Sequence, residues 1–398
     1  MSHLTPGTLL LSAPAFVQCQ TAPSCSLHPP GRGLPLPASP YLPRRSDCPH
    51  RGGRERDRSE MAADQGSCGA LTAAVCMVIG IATMGLLRAQ EGRIPSESRL
   101  DYFPDQGWLR ETVQWDAQHM RFLVSHMEGG IGQIAYTPAQ SSAPAHEQTL
   151  VPRNFNLPFS GLSTNGFKID YTRNRIVSAM ADLLKNKFSA VAAYDISTWD
   201  LIFFLKLAGS ERASLADDVA IDEGGNIYVT DALGGLIWKV TPDGSNFEEM
   251  TAKGAFSVKP RSRLLSFVSV NGIVYHPEGF LIVGHTGGDC LFKVSLDGQY
   301  VRRVDLEGTL FGDGIALVSP IQLAVAGLWT GVRLVQSSDL WLTANVTHIY
   351  ASPCHRLATS VTVKDQDVFV NYLIGQGIPY YSTIGRAVFT PVASSFTM

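Results

Sequence analysis

A short β-hairpin unit recurs along the C-terminal three-quarters of the sequence, and this repeat constrains the fold more than any other feature. In its clearest copy, residues 215–231, two acids lead into an apolar strand, an Asp-Glu-Gly-Gly-Asn turn and a second alternating strand. Six copies align on one polar position, which is held by Glu111, Asn165, Asp217, Asn271, Asp313 and Thr359. The intervals of about 54, 52, 54, 42 and 46 residues are typical of propeller blades.

A second recurrence supports this alignment. In three units a Gly-Gly turn follows the second strand and precedes another strand, at residues 129–130, 234–235 and 287–288. This order is the one that a four-stranded antiparallel blade requires. Because no helix start follows the glycine pairs, we interpret them as hairpin turns and not as phosphate-binding loops. The sequence therefore predicts an all-β fold in which residues 105–392 form a six-bladed β-propeller.

Composition agrees with a sheet-rich body and excludes one class of partner. The chain is 45% apolar and 17% charged, with a formal net charge of −3. No basic stripe with interleaved aromatic residues is present, so the sequence does not indicate a nucleic-acid-binding protein. Five tryptophans are predicted to pack within and between blades: Trp115, Trp199, Trp238, Trp329 and Trp341.

The N-terminal region differs in composition from the repeats. Residues 1–60 hold about ten of the 23 prolines and are predicted to be a disordered extension, because such a segment buries too little apolar surface to offset its ordering entropy. Their Ser-rich, acid-poor start also resembles an organelle transit peptide. Met61 is an alternative start, in which case the preceding residues are an over-extended gene model.

Residues 68–87 contain no charged side chain and predict one hydrophobic helix. At about 1.5 Å per residue, twenty residues span the hydrocarbon layer of about 30 Å. No Lys or Arg lies between Met61 and this segment, which favours an uncleaved anchor over 68–88 rather than a cleaved signal sequence. Residues 89–104 would then be a linker. We expect a single-pass protein of a secretory-pathway membrane, or organelle targeting if residues 1–60 are part of the protein.

The membrane orientation stays open at this point. Arg88, Arg93 and Arg99 follow the span and favour a cytosolic propeller. Asn345 begins a glycosylation sequon that would matter only in the lumen. The cysteines add little, since a bridge between Cys290 and Cys354 is allowed but has no support from a spacing pattern.

The repeat predicts where chemistry would occur. In a propeller the innermost strands line a central channel, so residues at one repeat position converge near one mouth. Three of the six aligned residues are acids, and close carboxylates repel each other unless a cation compensates. All-oxygen ligands at variable angles suit Ca²⁺ better than strictly octahedral Mg²⁺. The sequence therefore predicts a calcium site on the channel axis.

The same residues carry a family resemblance over about residues 100–392. The segments 111–116 (Glu-x-x-x-Trp-Asp), 217–222 (Asp-Asp-Val-Ala-Ile-Asp), 271–273 (Asn-Gly-Ile) and 313–316 (Asp-Gly-Ile-Ala) resemble the senescence-marker-protein/gluconolactonase/luciferin-regenerating-enzyme-like family. Plant members described as calcium-dependent phosphotriesterase-like are the most similar. The group is related to paraoxonases and diisopropyl fluorophosphatase, which are calcium-dependent six-bladed propeller hydrolases.

The resemblance implies a ligand set and a reaction. Glu111, Asp217, Asn271 and Asp313 would hold the catalytic calcium, which would polarise a lactone, ester or phosphoester oxygen. Asp313 would be the catalytic carboxylate, acting as base or nucleophile, with Asp217 as the second choice. Asp218 would help to hold a structural ion, as in paraoxonases. Where the family usually has Asn, this chain has Asp217, and the extra charge should tighten calcium binding while weakening the cation's pull on the substrate.

Several residues have simpler interpretations. Asn165 occupies the repeat position in the second blade, outside the implied ligand set, and is predicted to line the channel or cap a strand. His126, His276 and His285 could serve as acid or base at the mouth, but ordinary surface or core roles are expected for each.

Two other functions remain open from the sequence. A propeller similar to strictosidine synthase would catalyse a condensation without metal. A membrane-anchored propeller could also bind partners without catalysis.

Overall fold

The computed structural model describes residues 82–83, 85–87, 89–92, 98–136, 144–153, 157–208, 212–261, 263–374 and 381–392. The chain divides into two compact units, Met1–Gly66 and Ser67–Met398, and every described residue belongs to the second. The predicted extension 1–60 and most of the predicted anchor 68–88 lie outside the described residues. Within the described ranges no helix is long and apolar enough to cross a membrane, so the predicted hydrophobic helix has no support there.

Nearly all of the described structure is β. The first five strands are β1 (Arg99–Phe103), β2 (Arg110–Asp116), β3 (Arg121–His126), β4 (Ile131–Ala135) and β5 (Ala145–Val151). The next four are β6 (Ser163–Asp170), β7 (Arg175–Ala181), β8 (Ser189–Asp195) and β9 (Leu201–Ala208). They are followed by β10 (Ala216–Ile221), β11 (Ile227–Asp231), β12 (Leu236–Val240) and β13 (Phe247–Glu249).

The C-terminal half continues in the same way. Its first four strands are β14 (Val270–His276), β15 (Phe280–His285), β16 (Cys290–Ser295) and β17 (Val301–Arg303). Five more are β18 (Asp305–Glu307), β19 (Gly312–Ser319), β20 (Gln322–Gly327), β21 (Gly331–Gln336) and β22 (Thr343–Tyr350). The last four are β23 (Ala358–Lys364), β24 (Asp367–Tyr372), β25 (Ser382–Arg386) and β26 (Thr390–Pro391). Short 3-10 helices lie at Tyr171–Arg173 and Cys354–Arg356.

These strands form five hydrogen-bonded sheets within the described residues. Three sheets are simple four-stranded meanders: β6 to β9, β10 to β13 and β14 to β17. A fourth sheet has the order β18-β22-β21-β20-β19, with β26 also paired to β22. The fifth has eight strands in the order β2-β3-β4-β5-β1-β25-β24-β23. Each sheet thus contains at least one antiparallel run of consecutive strands, as the repeat predicts.

Strand β1 joins the two ends of the repeat region. It pairs antiparallel with β25, where Leu100 lies opposite Ile384, and parallel with β5, where Tyr102 lies opposite Ala145. The segment 89–104, predicted to be a linker, therefore contributes a strand to the last antiparallel run. Its long-range partner is the physical reason why no local sequence pattern indicated it.

The core lies between neighbouring sheets. Apolar residues on alternate positions face across the gap, as Val177 and Val191 do against Val229 and Trp238. Trp341 is fully buried in the cluster that joins the sheets of β15 and β20. The prediction for Trp329 is wrong, because this side chain is 42% exposed in the turn between β20 and β21.

The first strand of each antiparallel run also packs against its counterparts. We call β2, β6, β10, β14, β19 and β23 the inner strands. They are in contact in cyclic order, and β23 returns to β2. The six aligned polar residues all lie on these inner strands, near the end at which each strand begins.

Candidate functional site

A β-bulge marks the aligned polar position in every inner strand. The register shifts between Arg110 and Val113 in β2, and at the corresponding places in the other five inner strands. Each shift encloses one of the six polar residues: Glu111, Asn165, Asp217, Asn271, Asp313 and Thr359. A bulge leaves one residue out of the hydrogen-bonded ladder between two strands and changes the direction of its side chain. These six positions therefore share a backbone feature that is common at binding and active sites.

Glycines next to the polar positions allow neighbouring inner strands to approach closely. A Cβ on Gly166 would lie 2.6 Å from the Asp217 carbonyl oxygen, and one on Gly272 would lie 2.4 Å from that of Asp313. A Cβ on Gly314 would lie 2.7 Å from the Thr359 carbonyl oxygen. No side chain fits at these distances, so each glycine holds the next polar position beside its own.

At other inner strands, side-chain hydrogen bonds instead of a glycine contact join neighbouring strands. Asp218 accepts hydrogen bonds from the Ile273 N–H at 3.1 Å and from the Val219 N–H at 2.8 Å, and thereby joins β10 to β14. The Thr359 hydroxyl donates to the Glu111 carbonyl oxygen at 2.7 Å and joins β23 to β2. These contacts link the polar positions of five of the six neighbouring pairs of inner strands, that is, every pair except β2 and β6.

The predicted acidic ligands are close enough to interact by charge. Burial and the charges of Asp313, Asp217 and Asp218 raise the pKa of Glu111 well above its usual value. The pKa of Asp217 is also raised well above its usual value, by burial and by the charges of Asp313, Asp218 and Asp231. Within the described residues, no Lys or Arg lowers the pKa of Glu111, Asp217 or Asp313, so their repulsion is not compensated by a cationic side chain.

Asp313 is the most buried of these three acids, at 5% exposure. Burial raises the pKa of Asp313 to about 7, a hydrogen bond from the Asn271 side chain opposes this rise, and the charge of Asp218 adds to it. Asn271, itself 7% exposed, therefore lies near Asp313. A carboxyl group with a pKa near 7 exchanges its proton readily at neutral pH.

Asn165 offers an unpaired acceptor at the same level of the ring. Its side chain is 1% exposed, and Nδ2 donates to the Ala216 carbonyl oxygen at 2.7 Å, which fits the predicted capping role. Its Oδ1 has no hydrogen-bond partner in the described structure. A buried amide oxygen without a donor is unusual and needs a ligand, a water or an ion to satisfy it. The repeat alignment contained this signal, which the implied ligand set left out.

The oxygen atoms at the aligned polar positions are of the chemical type that binds a hard cation. It consists of carboxylate and amide oxygens, including an unsatisfied one, with uncompensated negative charge. The described residues nevertheless contain no preassembled group of three or more His, Cys, Asp or Glu side chains that could hold a metal ion. The carboxylates interact through charge without forming a ready coordination shell.

The three histidines have structural partners. His285 Nδ1 accepts from the Gly288 N–H at 2.9 Å, and His276 stacks on Phe280 with ring centroids 4.2 Å apart. His126 is buried and lies 2.5 Å from the Glu147 carboxylate. These contacts agree with the ordinary roles expected for them. Cys290 and Cys354 are both free thiols, so the bridge that the sequence allowed is not formed.

A cavity of about 320 Å³ lies farther along the inner strands. Each of the six strands contributes the residues three and four positions beyond its polar residue, about 10 Å along the strand. The lining residues are Gln114, Trp115, Lys168, Ile169, Ala220, Ile221, Val274, Tyr275, Ala316, Leu317, Thr362 and Val363. Lys168 is the charged residue of this lining, and its charge acts on Asp218. The cavity therefore lies inside the ring of inner strands.

No protein-family model matches the sequence, and no curated protein matches it. A search of solved structures matches a catalytically inactive virginiamycin B lyase from Staphylococcus aureus with quinupristin. The match has 11% identity and a TM-score of 0.47, and covers 72% of this chain and 82% of that one. A gluconolactonase from Xanthomonas campestris is 16% identical with a TM-score of 0.46, covering 71% and 87%. Similarity at this level does not identify a reaction.

Proposed function

We propose that the chain is a six-bladed β-propeller hydrolase that uses calcium and acts on a lactone, ester or phosphoester. The observation that carries this proposal is the set of carboxylates on the inner-strand bulges. Asp313 and Asp217 raise the pKa of Glu111, and Asp313 raises the pKa of Asp217, without a compensating cationic side chain. Cyclic contact of the six inner strands supports the blade count.

Glu111, Asp217, Asn271 and Asp313 would hold the cation, and the free Oδ1 of Asn165 is at the same repeat position. When bound, Ca²⁺ would supply charge stabilisation at a substrate carbonyl or phosphoryl oxygen. Proton transfer in the proposed mechanism is assigned to the carboxylates of the same site.

Asp313 is the proposed catalytic carboxylate. In the metal-free protein its pKa is about 7. A bound cation would lower this pKa, so that the carboxylate would be ionised at neutral pH and able to take a proton from water. The Asn271 side chain lies near Asp313 and lowers its pKa, which favours the ionised carboxylate. Asp217, buried beside them, is the alternative proton acceptor.

Two linked measurements test this proposal. Calcium should raise the melting temperature of the metal-free protein, because binding to the native state at 100 times the Kd adds about 2.7 kcal/mol. Asp313→Asn should weaken that response and abolish hydrolysis of lactones and aryl esters. Asp365→Asn, at a 79% exposed side chain, is the matched control and should change neither.

Two outcomes would contradict the proposal in different ways. If neither calcium nor a chelator changes the melting temperature, the protein does not bind calcium, and the alternative of a metal-free propeller is favoured. Calcium binding with no turnover on any of these substrates would leave a propeller that binds without catalysis.

A further inference from the structure

A basic connection, residues 251–269, links β13 to β14 and lies at the edge of the ring where the inner strands begin. It contains four cationic residues and no Asp or Glu. The cations are Lys253, Lys259, Arg261 and Arg263, and all four are exposed. The whole chain has a net charge of −3, so this local excess of positive charge is opposite in sign to the rest of the protein.

The basic connection is held firmly on the sheet below it. Phe256 is 2% exposed and Leu265 is 6% exposed, and both pack inwards. The Arg261 N–H donates to the Gly287 carbonyl oxygen at 2.8 Å. A Cβ on Gly287 would lie 2.6 Å from the Leu265 carbonyl oxygen, so the Gly-Gly turn after β15 allows a close approach of the two backbones. The backbone of the basic connection is therefore anchored to the sheet, and its exposed side chains lie on the outer side.

Two large apolar side chains point outwards from this support. Leu264 is 68% exposed and Phe267 is 65% exposed, and they flank the buried Leu265. Of the four cations, Arg261 lies 3.2 Å from the buried Asp289 carboxylate. The other three form no ion pair with any residue in the described ranges. Apolar side chains that stand among unpaired cations match the surface of an anionic bilayer, where charge attracts the basic groups and the apolar ones enter the headgroup boundary.

We propose that the basic connection docks on an anionic lipid bilayer, with Leu264 and Phe267 inserted and Lys253, Lys259 and Arg263 against lipid headgroups. A nucleic-acid surface would satisfy the cations and leave the two apolar groups in water, and an apolar protein surface would leave the cations unmatched. The connection leads directly into β14, whose bulge holds Asn271. Docking would therefore turn the candidate site's edge of the ring towards the bilayer. It does not depend on the proposed hydrolysis.

Hydrogen exchange of the full chain tests the docking. The protein is placed with nanodiscs of phosphatidylcholine alone or of phosphatidylcholine with phosphatidylserine, which separates the effect of charge from any other membrane attachment. Amides of the basic connection should exchange at least about threefold more slowly with phosphatidylserine. Amides of the β16–β17 turn, at the opposite edge, should not change. High salt should remove the difference, because it screens the headgroup attraction.

Variants assign the effect to named side chains. Leu264→Ser with Phe267→Ser should abolish the protection, and Lys259→Gln with Arg263→Gln should abolish its dependence on phosphatidylserine. The matched control is Tyr300→Ser with Ile321→Ser, which removes two exposed apolar groups from turns at the opposite edge and should leave the protection intact. Equal exchange in both lipids, or protection that survives the Leu264 and Phe267 changes, would overturn the proposal, and a nucleic-acid or protein partner would give that result.

Discussion

The Thr359 hydroxyl donates to the Glu111 carbonyl oxygen at 2.7 Å, although the two residues are 248 positions apart. The Asn371 side chain reinforces this contact, because its Nδ2 donates to the Arg110 carbonyl oxygen at 2.8 Å. Both bonds join the last inner strand, β23, and its neighbour β24 to the first, β2. The position of the Glu111 carboxylate therefore depends on how the C-terminal strands meet the N-terminal ones.

Replacement of Thr359 by Val should loosen this joint. The side chain keeps its volume and loses the hydroxyl, so we expect a loss of about 1 kcal/mol in the free energy of unfolding. The apparent calcium affinity should fall as well, because Glu111 loses part of its support. Urea unfolding with and without calcium measures both effects. Thr390→Val is the control, since its hydroxyl bonds the Ile349 carbonyl oxygen on an exposed strand and should cost little. An equal loss for the two variants would contradict a special role for Thr359.

Gly272→Ala should be strongly destabilising. Its Cβ would meet the Asp313 carbonyl oxygen at 2.4 Å and the Ile315 nitrogen at 2.9 Å, so two inner strands must separate. Overpacking of this kind costs about 1–3 kcal/mol. Gly284→Ala is a close control on the adjacent strand, where the nearest atom would be the Gly272 carbonyl oxygen at 3.6 Å, an ordinary contact. Thermal unfolding of the two variants should separate them, and similar melting temperatures would show that the inner strands adjust easily.

The buried Glu147 predicts a pH dependence of stability. Burial alone would raise its pKa, but the His126 ring and the Arg110 guanidinium, 2.5 and 2.6 Å away, lower the pKa below 4.5. A carboxyl group with a lowered pKa in the folded state stabilises above its unfolded pKa, and this stability is lost as the pH falls through the folded pKa.

Glu147→Gln should therefore cost about 3 kcal/mol at pH 7, because it leaves Arg110 buried without its partner. The difference from the unchanged protein should begin to shrink as the pH falls below 4.5, the usual pKa of Glu. It should vanish only below the lowered folded pKa, where Glu147 is protonated in both folded and unfolded chains. Unfolding curves at several pH values measure it. Glu249→Gln breaks an exposed pair with Arg212 and should show neither effect. A cost that stays constant down to low pH would mean that the charge of Glu147 is not what matters.

The repeat made the inner strands and their polar positions predictable, because period and turn chemistry are local. Asp217 and Asp313 were found from the alignment alone, and the structure shows a bulge at each. The hydrogen bond from Thr359 and the pairing of β1 with β25 were not predictable, since both join residues more than 240 positions apart. The unpaired oxygen of Asn165 was not predicted for a different reason. The alignment placed Asn165 at the polar position, but only the structure shows that Nδ2 donates to the Ala216 carbonyl oxygen while Oδ1 has no partner.

Asp217→Asn tests how charge is balanced between binding and turnover. The change keeps the side-chain shape and removes one negative charge from a buried group whose pKa is raised by burial and by Asp313. Metal-free stability at pH 8 should rise, because a repulsive charge is gone. Calcium affinity should fall by about tenfold, which corresponds to 1.4 kcal/mol, since fewer carboxylates attract the ion.

The bound cation should polarise a substrate oxygen more strongly in the Asp217→Asn variant, so kcat for an ester or lactone that the protein hydrolyses should increase. Calorimetric calcium titration and steady-state kinetics at saturating calcium measure the two quantities on the same preparation. Tighter calcium binding by the variant would mean that Asp217 lies outside the coordination shell and acts on it only through repulsion.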